Sequence, residues 1–515
     1  MLAQVKSCSI YGLESFLVDV EVDISSGLPA FDIVGLPDIA VRESKERVRA
    51  AIKNQEFNFP IKRITLNLAP ADIRKEGPHF DLPIALGILA ATEQMPSDTL
   101  NEYAVIGELS LDGRIRPVNG VLPMVIAVKE SGLKGVIVPW ENMEEAAVID
   151  GVEAIGVNSL KDAVAYFKGE YKTNKIVDKD FLRCKTQDND TAFDGDFSEV
   201  KGQENLKRCL EIAAAGHHNV LMIGPPGSGK TMIARRIPTI LPSMTFEESL
   251  ELTKIYSIAG LISNHSGLIK KRPFRFPHHT ISAVGMVGGG RIPKPGEITL
   301  AHHGVLFLDE IPEFPRDILE LLRQPLEDEK VTIARANATI TYPAKFMMVG
   351  SMNPCQCGFF GDPFHECTCS LHQIQKYLSK ISGPLMDRID LQLEVAPVKF
   401  SDLEGPSTTD SMTIKKRVED ARLMQLERYK ECNIYFNSQL TPALMNKHCK
   451  LDKSGKILMK EAFKSMKLSA RAHSKILKVA RTIADLDGKR LIKESHLAEA
   501  LQYRNIDKYY QNLKI

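Results

Sequence analysis

The sequence predicts an α/β multidomain protein that ends in a helical domain, and three observations carry that expectation. The chain has 515 residues, enough for about three domains at roughly 100–200 residues each. Its middle alternates strand-like and helical runs, the pattern of a parallel α/β sheet. From residue 414 onward it is almost wholly helical in period, with the best helices at 415–429 and 470–486.

Each segment has its own signals. The first mixes strands at 16–22, 64–68 and 136–138 with helices at 40–52, 83–92 and 121–130. A polar stretch without apolar periodicity follows and reads as a linker over 172–195. A second polar stretch, 401–413, follows the strand-like run 391–395. The expected domains are therefore 1–171, 196–400 and 401–515.

Composition excludes several classes. Hydrophobic residues are 43% and charged residues 25% of the chain, ordinary values for globular protein. Lys+Arg 66 against Asp+Glu 65 gives +1, which excludes a uniformly basic coat or a long acidic tail. Residues 401–515 are the exception: 23 Lys+Arg against 14 Asp+Glu leave +9 there. That excess fits either a nucleic-acid surface or a solvated helical face. No apolar run approaches the roughly 20 residues of a membrane span, and the first residues lack a secretory plan. Nine cysteines, an odd number, argue for reduced thiols and a cytoplasmic location.

Gly224-Pro225-Pro226-Gly227-Ser228-Gly229-Lys230-Thr231 fits the phosphate-loop pattern G-x-x-x-x-G-K-[ST] at every fixed position. A short apolar strand enters it and a helix leaves it. Glycines let backbone N–H groups close around phosphate oxygens. Lys230 would reach the β/γ-phosphates of ATP, and the Thr231 hydroxyl would ligand Mg²⁺. About 80 residues on, the run 305–308 ends in Asp309-Glu310. Asp309 is placed to hold the metal's water shell, and Glu310 to orient and polarise the attacking water.

The stretch 196–203, the phosphate loop and the Asp-Glu strand together resemble an AAA+ ATPase. The resemblance implies that Asn353, after Val349-Gly350-Ser351-Met352, senses the γ-phosphate. It also implies that Arg388, in Gly383-Pro384-Leu385-Met386-Asp387-Arg388, acts on the neighbouring subunit's site. An ion pair of Arg388 with Asp387 or Asp390 is the competing reading. Arg471, which follows Ser469-Ala470, stands where a second sensor arginine would sit, with Arg481 as rival. Phe276-Pro277-His278-His279-Thr280, the run 294–302 and the run 476–484 extend the resemblance over the whole chain, to the YifB/ComM family of magnesium-chelatase-like proteins. What this implies is a hexameric ATP-driven motor on DNA, a branch-migration helicase acting on recombination intermediates. A magnesium-chelatase-type or peptide-remodelling ATPase is the alternative.

The stretches 68–78 and 107–118 resemble Lon-type proteases and imply an α/β domain of that kind. Its dyad is missing: His79 stands at the serine nucleophile's place and Leu122 at the lysine's, so Ser-Lys chemistry is not expected.

Two further patterns are open. Lys270-Lys271-Arg272-Pro273-Phe274-Arg275-Phe276, with Gly288-Gly289-Gly290-Arg291 beyond, suits a single-strand or duplex-backbone DNA contact, or else a loop whose aromatics anchor on the core while its cations face water. Cys355, Cys357, Cys367 and Cys369 gather four of the nine cysteines in 15 residues. They suit a structural zinc site, with His365 and His372 as substitutes, or else reduced or redox-paired thiols.

Overall fold

The computed structural model describes residues 1–171, 195–262, 267–290, 293–335, 338–397, 409–432 and 434–504. The expected linker, but for residue 195, lies outside the described residues, as do Arg291 and residues 401–408 of the second polar stretch. Two compact units form: Met1–Gln187 with Phe246–Lys270, and Asp188–Thr245 with Lys271–Ile515.

The first unit is built on a seven-stranded sheet. Leu2–Tyr11 and Glu14–Ser25 pair as an antiparallel hairpin. It closes at Gly12, whose φ of +66° suits a two-residue turn. Val18, Val20, Val22 and Ile24 alternate onto the buried face, as a half-buried strand requires. Against them lies helix Asp81–Ala91, buried along its whole length. Gly87 lets it approach, since a Cβ there would lie 2.7 Å from Val22 Cγ2. Helix Phe246–Ala259, expected inside the 196–400 core, packs here instead. Ser257 donates to the buried Glu145 carboxylate and accepts from Gly120 N at 3.1 Å. Its apolar periodicity announces a buried face without saying against what.

His79 is a core residue of this unit. It is 6% exposed, its Nε2 is 2.9 Å from Cys8 O, and burial pulls its pKa down to about 4. Leu122 is buried in helix Val121–Glu130. Neither residue stands in an open site.

The second unit holds a five-stranded, wholly parallel sheet. In spatial order its strands are Phe274–Arg275, Val305–Leu308, Met347–Met352, Val220–Ile223 and Leu391–Glu394. All five strands run parallel, so their carboxyl ends line one edge, where α/β sheets bind ligands. The helical end, including Ser411–Arg428 and Ala470–Leu486, shares one hydrophobic core with the sheet. Polar ties reinforce that packing: Gln425 Nε2 donates to Ala215 O at 2.9 Å, and the His218 ring meets Thr482 Oγ1 at 2.8 Å.

Candidate nucleotide site

Val220–Ile223 is buried at every residue and delivers the chain to the loop at the sheet's edge. Gly224 has no room for a side chain, because a Cβ would lie 2.4 Å from Val395 O. Gly227 and Gly229 take φ of +77° and +84°, the left-handed region that turns the backbone about the ligand's seat. Lys230 begins the following helix and is 8% exposed. Its ammonium donates to Gly224 O and Pro225 O, each at 2.8 Å, to Ser228 Oγ at 3.2 Å and to Asn353 Oδ1 at 3.5 Å.

Burial pulls the Lys230 pKa down to about 8, against the opposing pull of Asp309 and Glu310. Bound phosphates would restore the charged form, so nucleotide binds the ammonium and not the amine. Above pH 8 the Kd for ADP should therefore rise, by about tenfold per pH unit at the limit. A fluorescence titration from neutral to alkaline pH checks this, and a flat Kd would refute it.

The two carboxylates and the sensor position meet this loop. Thr231 Oγ1 donates to Asp309 Oδ2 at 2.7 Å. Ser351, buried in the adjacent strand, donates to the other Asp309 oxygen and accepts from Glu310 N at 3.2 Å. Glu310 is exposed and sits at φ +51°, ψ +53°. A non-glycine residue held there costs about 1–3 kcal/mol. The Ser351 tether and the Glu313 N–H on Glu310 O, at 2.7 Å, hold it. The Glu310 side chain is exposed, and its charge acts on Lys230. Ser351 is a functional residue that residue-type reasoning missed; a hydroxyl inside an apolar strand was its only signal. Thr231 and Asp309 offer the hard oxygen donors Mg²⁺ prefers and would hold it beside the nucleotide. There the ion would neutralise phosphate charge.

Comparisons with known proteins bear on this site. Residues 196–403 match the family described as magnesium chelatase, subunit ChlI. Residues 20–142 match subunit ChlI of Mg-chelatase, and 408–504 its C-terminal part. The chain is 42% identical to the competence protein ComM of Haemophilus influenzae, over 99% of both chains. It is 42% identical to YifB of Escherichia coli, over 100% of this chain and 99% of that one. The chain belongs to the YifB/ComM family.

This YifB/ComM-family protein is thus a magnesium-chelatase-like AAA+ ATPase. It also shares 29% identity with Lon protease 2 of Bacillus subtilis, over 31% of this chain and 32% of that one. That is consistent with a Lon-like α/β domain.

Both predicted arginines lie elsewhere, in one cavity of about 650 Å³ whose lining includes no phosphate-loop residue. Arg388 pairs with Glu327, and donates to Pro384 O at 2.7 Å. Its partner is thus neither Asp387 nor Asp390. Arg471, 61% exposed, lies 3.8 Å from the other Glu327 oxygen. Arg481 is buried, held by Asp485 at 2.9 Å and by the carbonyls of Lys489 and Arg490, and has no reach for a ligand.

The aromatic-basic run 270–276 is mostly structural in this family member. Arg272 is buried and donates to Pro242 O and His303 O, each at 2.7 Å. Arg275 forms a two-pronged pair with Glu297 at 2.6 and 2.7 Å. The Phe274 and Phe276 rings pack on Phe307, at 5.9 and 5.0 Å. The aromatics thus anchor on the core, whereas Arg272 and Arg275 are engaged within the fold instead of facing water. Their geometry consumes cations that composition alone leaves available.

The four cysteines do converge: one sulfur from each lies within 4.8 Å of the others. Cys355 and Cys357 are 3.3 Å apart, Cys355 and Cys367 3.7 Å, and Cys357 and Cys367 3.6 Å. Sulfurs at about 2.3 Å around a tetrahedral zinc would stand about 3.8 Å apart. His365 pairs with Asp362 at 3.4 Å and is not in the cluster.

Among the described residues, no helix is long and apolar enough to cross a membrane.

Proposed function

We propose that this protein is a hexameric, ATP-driven DNA motor: a branch-migration helicase that acts on recombination intermediates when DNA is integrated during natural transformation. The observation that carries the reading is near-full-length similarity to a relative named for competence. ATP and Mg²⁺ are the working cofactors, bound by Gly224–Thr231 and Asp309. Glu310 activates water, Asn353 reads the γ-phosphate, and Arg388 completes the site of the next subunit. The shared seat of Arg388 and Arg471 on Glu327 supports assigning both to that neighbour, because a cavity without phosphate-loop residues cannot serve its own nucleotide. The motor acts in the cytoplasm. Separation of the four sulfurs supports a structural Zn²⁺ on Cys355, Cys357, Cys367 and Cys369.

DNA contact finds support in helix Lys453–Ser465. Lys453, Lys456, Lys460 and Lys464 are all exposed, and their three- and four-residue spacing sets them along one face. Four phosphate contacts would contribute about −3.6 to the slope of log affinity against log salt. Changing these four lysines to Gln should flatten that slope by about 3.6, and remove stimulation of ATP hydrolysis by four-way DNA. Wild-type protein that branched DNA neither binds nor stimulates, while a porphyrin-handling partner or unfolded protein does stimulate it, would replace the DNA reading.

A further inference from the structure

Arg388 has little regular structure to hold it. It follows the four-residue helix Gly383–Met386 and stands just before strand Leu391–Glu394. Its guanidinium rests on the exposed Glu327 and on Pro384 O. An arginine that serves a neighbouring site needs its backbone fixed as well, because a misplacement of about 1 Å can cost about 100-fold in rate.

That backbone is held from two sides. Asn219, which leads into strand Val220–Ile223, donates through Nδ2 to Arg388 O at 3.1 Å and through its backbone N to Asp390 Oδ2 at 3.0 Å. Its carbonyl accepts from Asp390 N and Leu391 N, each at 2.9 Å. From the helical end, Arg504 donates to Ile389 O at 2.8 Å, and Lys475 Nζ lies 2.8 Å from Asp390 Oδ1.

The last of these contacts is ionic. Asp390 is buried, and burial alone would push its carboxyl up; Lys475 and His218 beside it outweigh burial and hold it well below the usual carboxylate range. Lys475 is the near partner, since His218 Nδ1 stands 3.7 Å away. Lys475 is also one turn along from Arg471 on helix Ala470–Leu486, on the same face, and both line the cavity that holds Arg388. The helix that carries one arginine thus grips the segment that carries the other. Glu327 meets the guanidiniums, whereas Asp390 anchors the chain.

We propose that Lys475 is a positioning residue, which through Asp390 holds the Arg388 segment where the neighbouring subunit's site requires it. The inference rests on the reading of Arg388 as an arginine that acts in trans. Releasing the tie leaves the subunit's own phosphate loop intact and spoils the arginine that it offers to the next subunit.

Homogeneous Lys475→Met rings should bind ATP with the wild-type Kd and hydrolyse it about 100-fold more slowly. Removing one member of a buried ion pair strands the other charge, so Lys475→Met is also combined with Asp390→Asn, and this double variant should show the same split. Unchanged ATP binding establishes that both are folded. Mixed rings then supply a readout that a packing defect would not move. Lys475→Met subunits should regain hydrolysis with Lys230→Ala subunits, whose arginines are intact, and regain none with Arg388→Ala subunits. A defect confined to the subunit's own site gives the opposite pattern. That opposite pattern, wild-type hydrolysis in both variants, or loss of ATP binding in both would overturn the inference and leave the trans role of Arg388 standing. Arg388→Ala subunits that Lys230→Ala subunits fail to rescue would overturn both.

Discussion

Lys230→Ala protein should bind no measurable ATP, whereas Glu310→Gln protein should bind it normally and hydrolyse it at least ~100-fold more slowly. The two effects separate because the groups do different work. Lys230 is the buried cation of the phosphate loop, seated on Gly224 O and Pro225 O at 2.8 Å. Those carbonyl bonds exchange for phosphate oxygens on binding, and alanine leaves nothing to make the exchange. Glu310 is exposed and makes no such seat. Its backbone is held in the left-handed region and its side chain is exposed, so water can reach the carboxylate. Glutamine keeps that size and that backbone but cannot accept water's proton. Equilibrium binding of ATP and single-turnover phosphate release measure the two effects in the same preparations. A Glu310→Gln protein that turns ATP over at the normal rate would remove Glu310 from catalysis.

Much of this site is legible because phosphate chemistry constrains neighbouring residues. Glycines at 227 and 229, a cation at 230 and a hydroxyl at 231 must follow one another, so spacing alone reveals them. The Asp309–Glu310 pair is legible only in company: alone an apolar strand ending in two carboxylates says little, but about 80 residues after a phosphate loop it marks the metal and water positions. What stays hidden depends on tertiary proximity. Glu327 precedes Arg388 by 61 residues, and no local pattern joins them. Ser351 ties the Asp309 carboxylate to the Glu310 backbone from a neighbouring strand, yet reads in sequence as a polar break in an apolar run. The Arg272 and Arg275 cations misled in the other direction. Counting charges beside aromatics ignores the carbonyls and the Glu297 carboxylate that claim them. Convergence of the cysteines lies between these cases: residue type gives the chemistry, but C-x-C spacing does not give the geometry.

Arg388→Ala should abolish most ATPase activity in homogeneous rings, and mixing those subunits with Lys230→Ala subunits should restore part of it. Removing a transition-state arginine costs about 10³–10⁵ in rate. Arg388 Nε is buried and unpaired, while the rest of its guanidinium is held by Glu327 and Pro384 O. That arrangement aims the side chain in advance of any neighbour. In a mixed ring the Arg388→Ala subunit keeps an intact phosphate loop, and the Lys230→Ala subunit keeps an intact arginine. With equal amounts and random order, about a quarter of the interfaces pair the two intact halves, as head-to-tail closure of a ring requires. Recovery toward that fraction therefore follows from an arginine that acts in trans, and not from one that serves its own nucleotide. Arg471→Ala should complement in the same way, because it shares the Glu327 seat at 3.8 Å. Native mass spectrometry establishes that the rings are mixed. Rings of both subunits with no recovered hydrolysis would assign Arg388 to its own chain and remove the neighbour-dependent reading of the cavity.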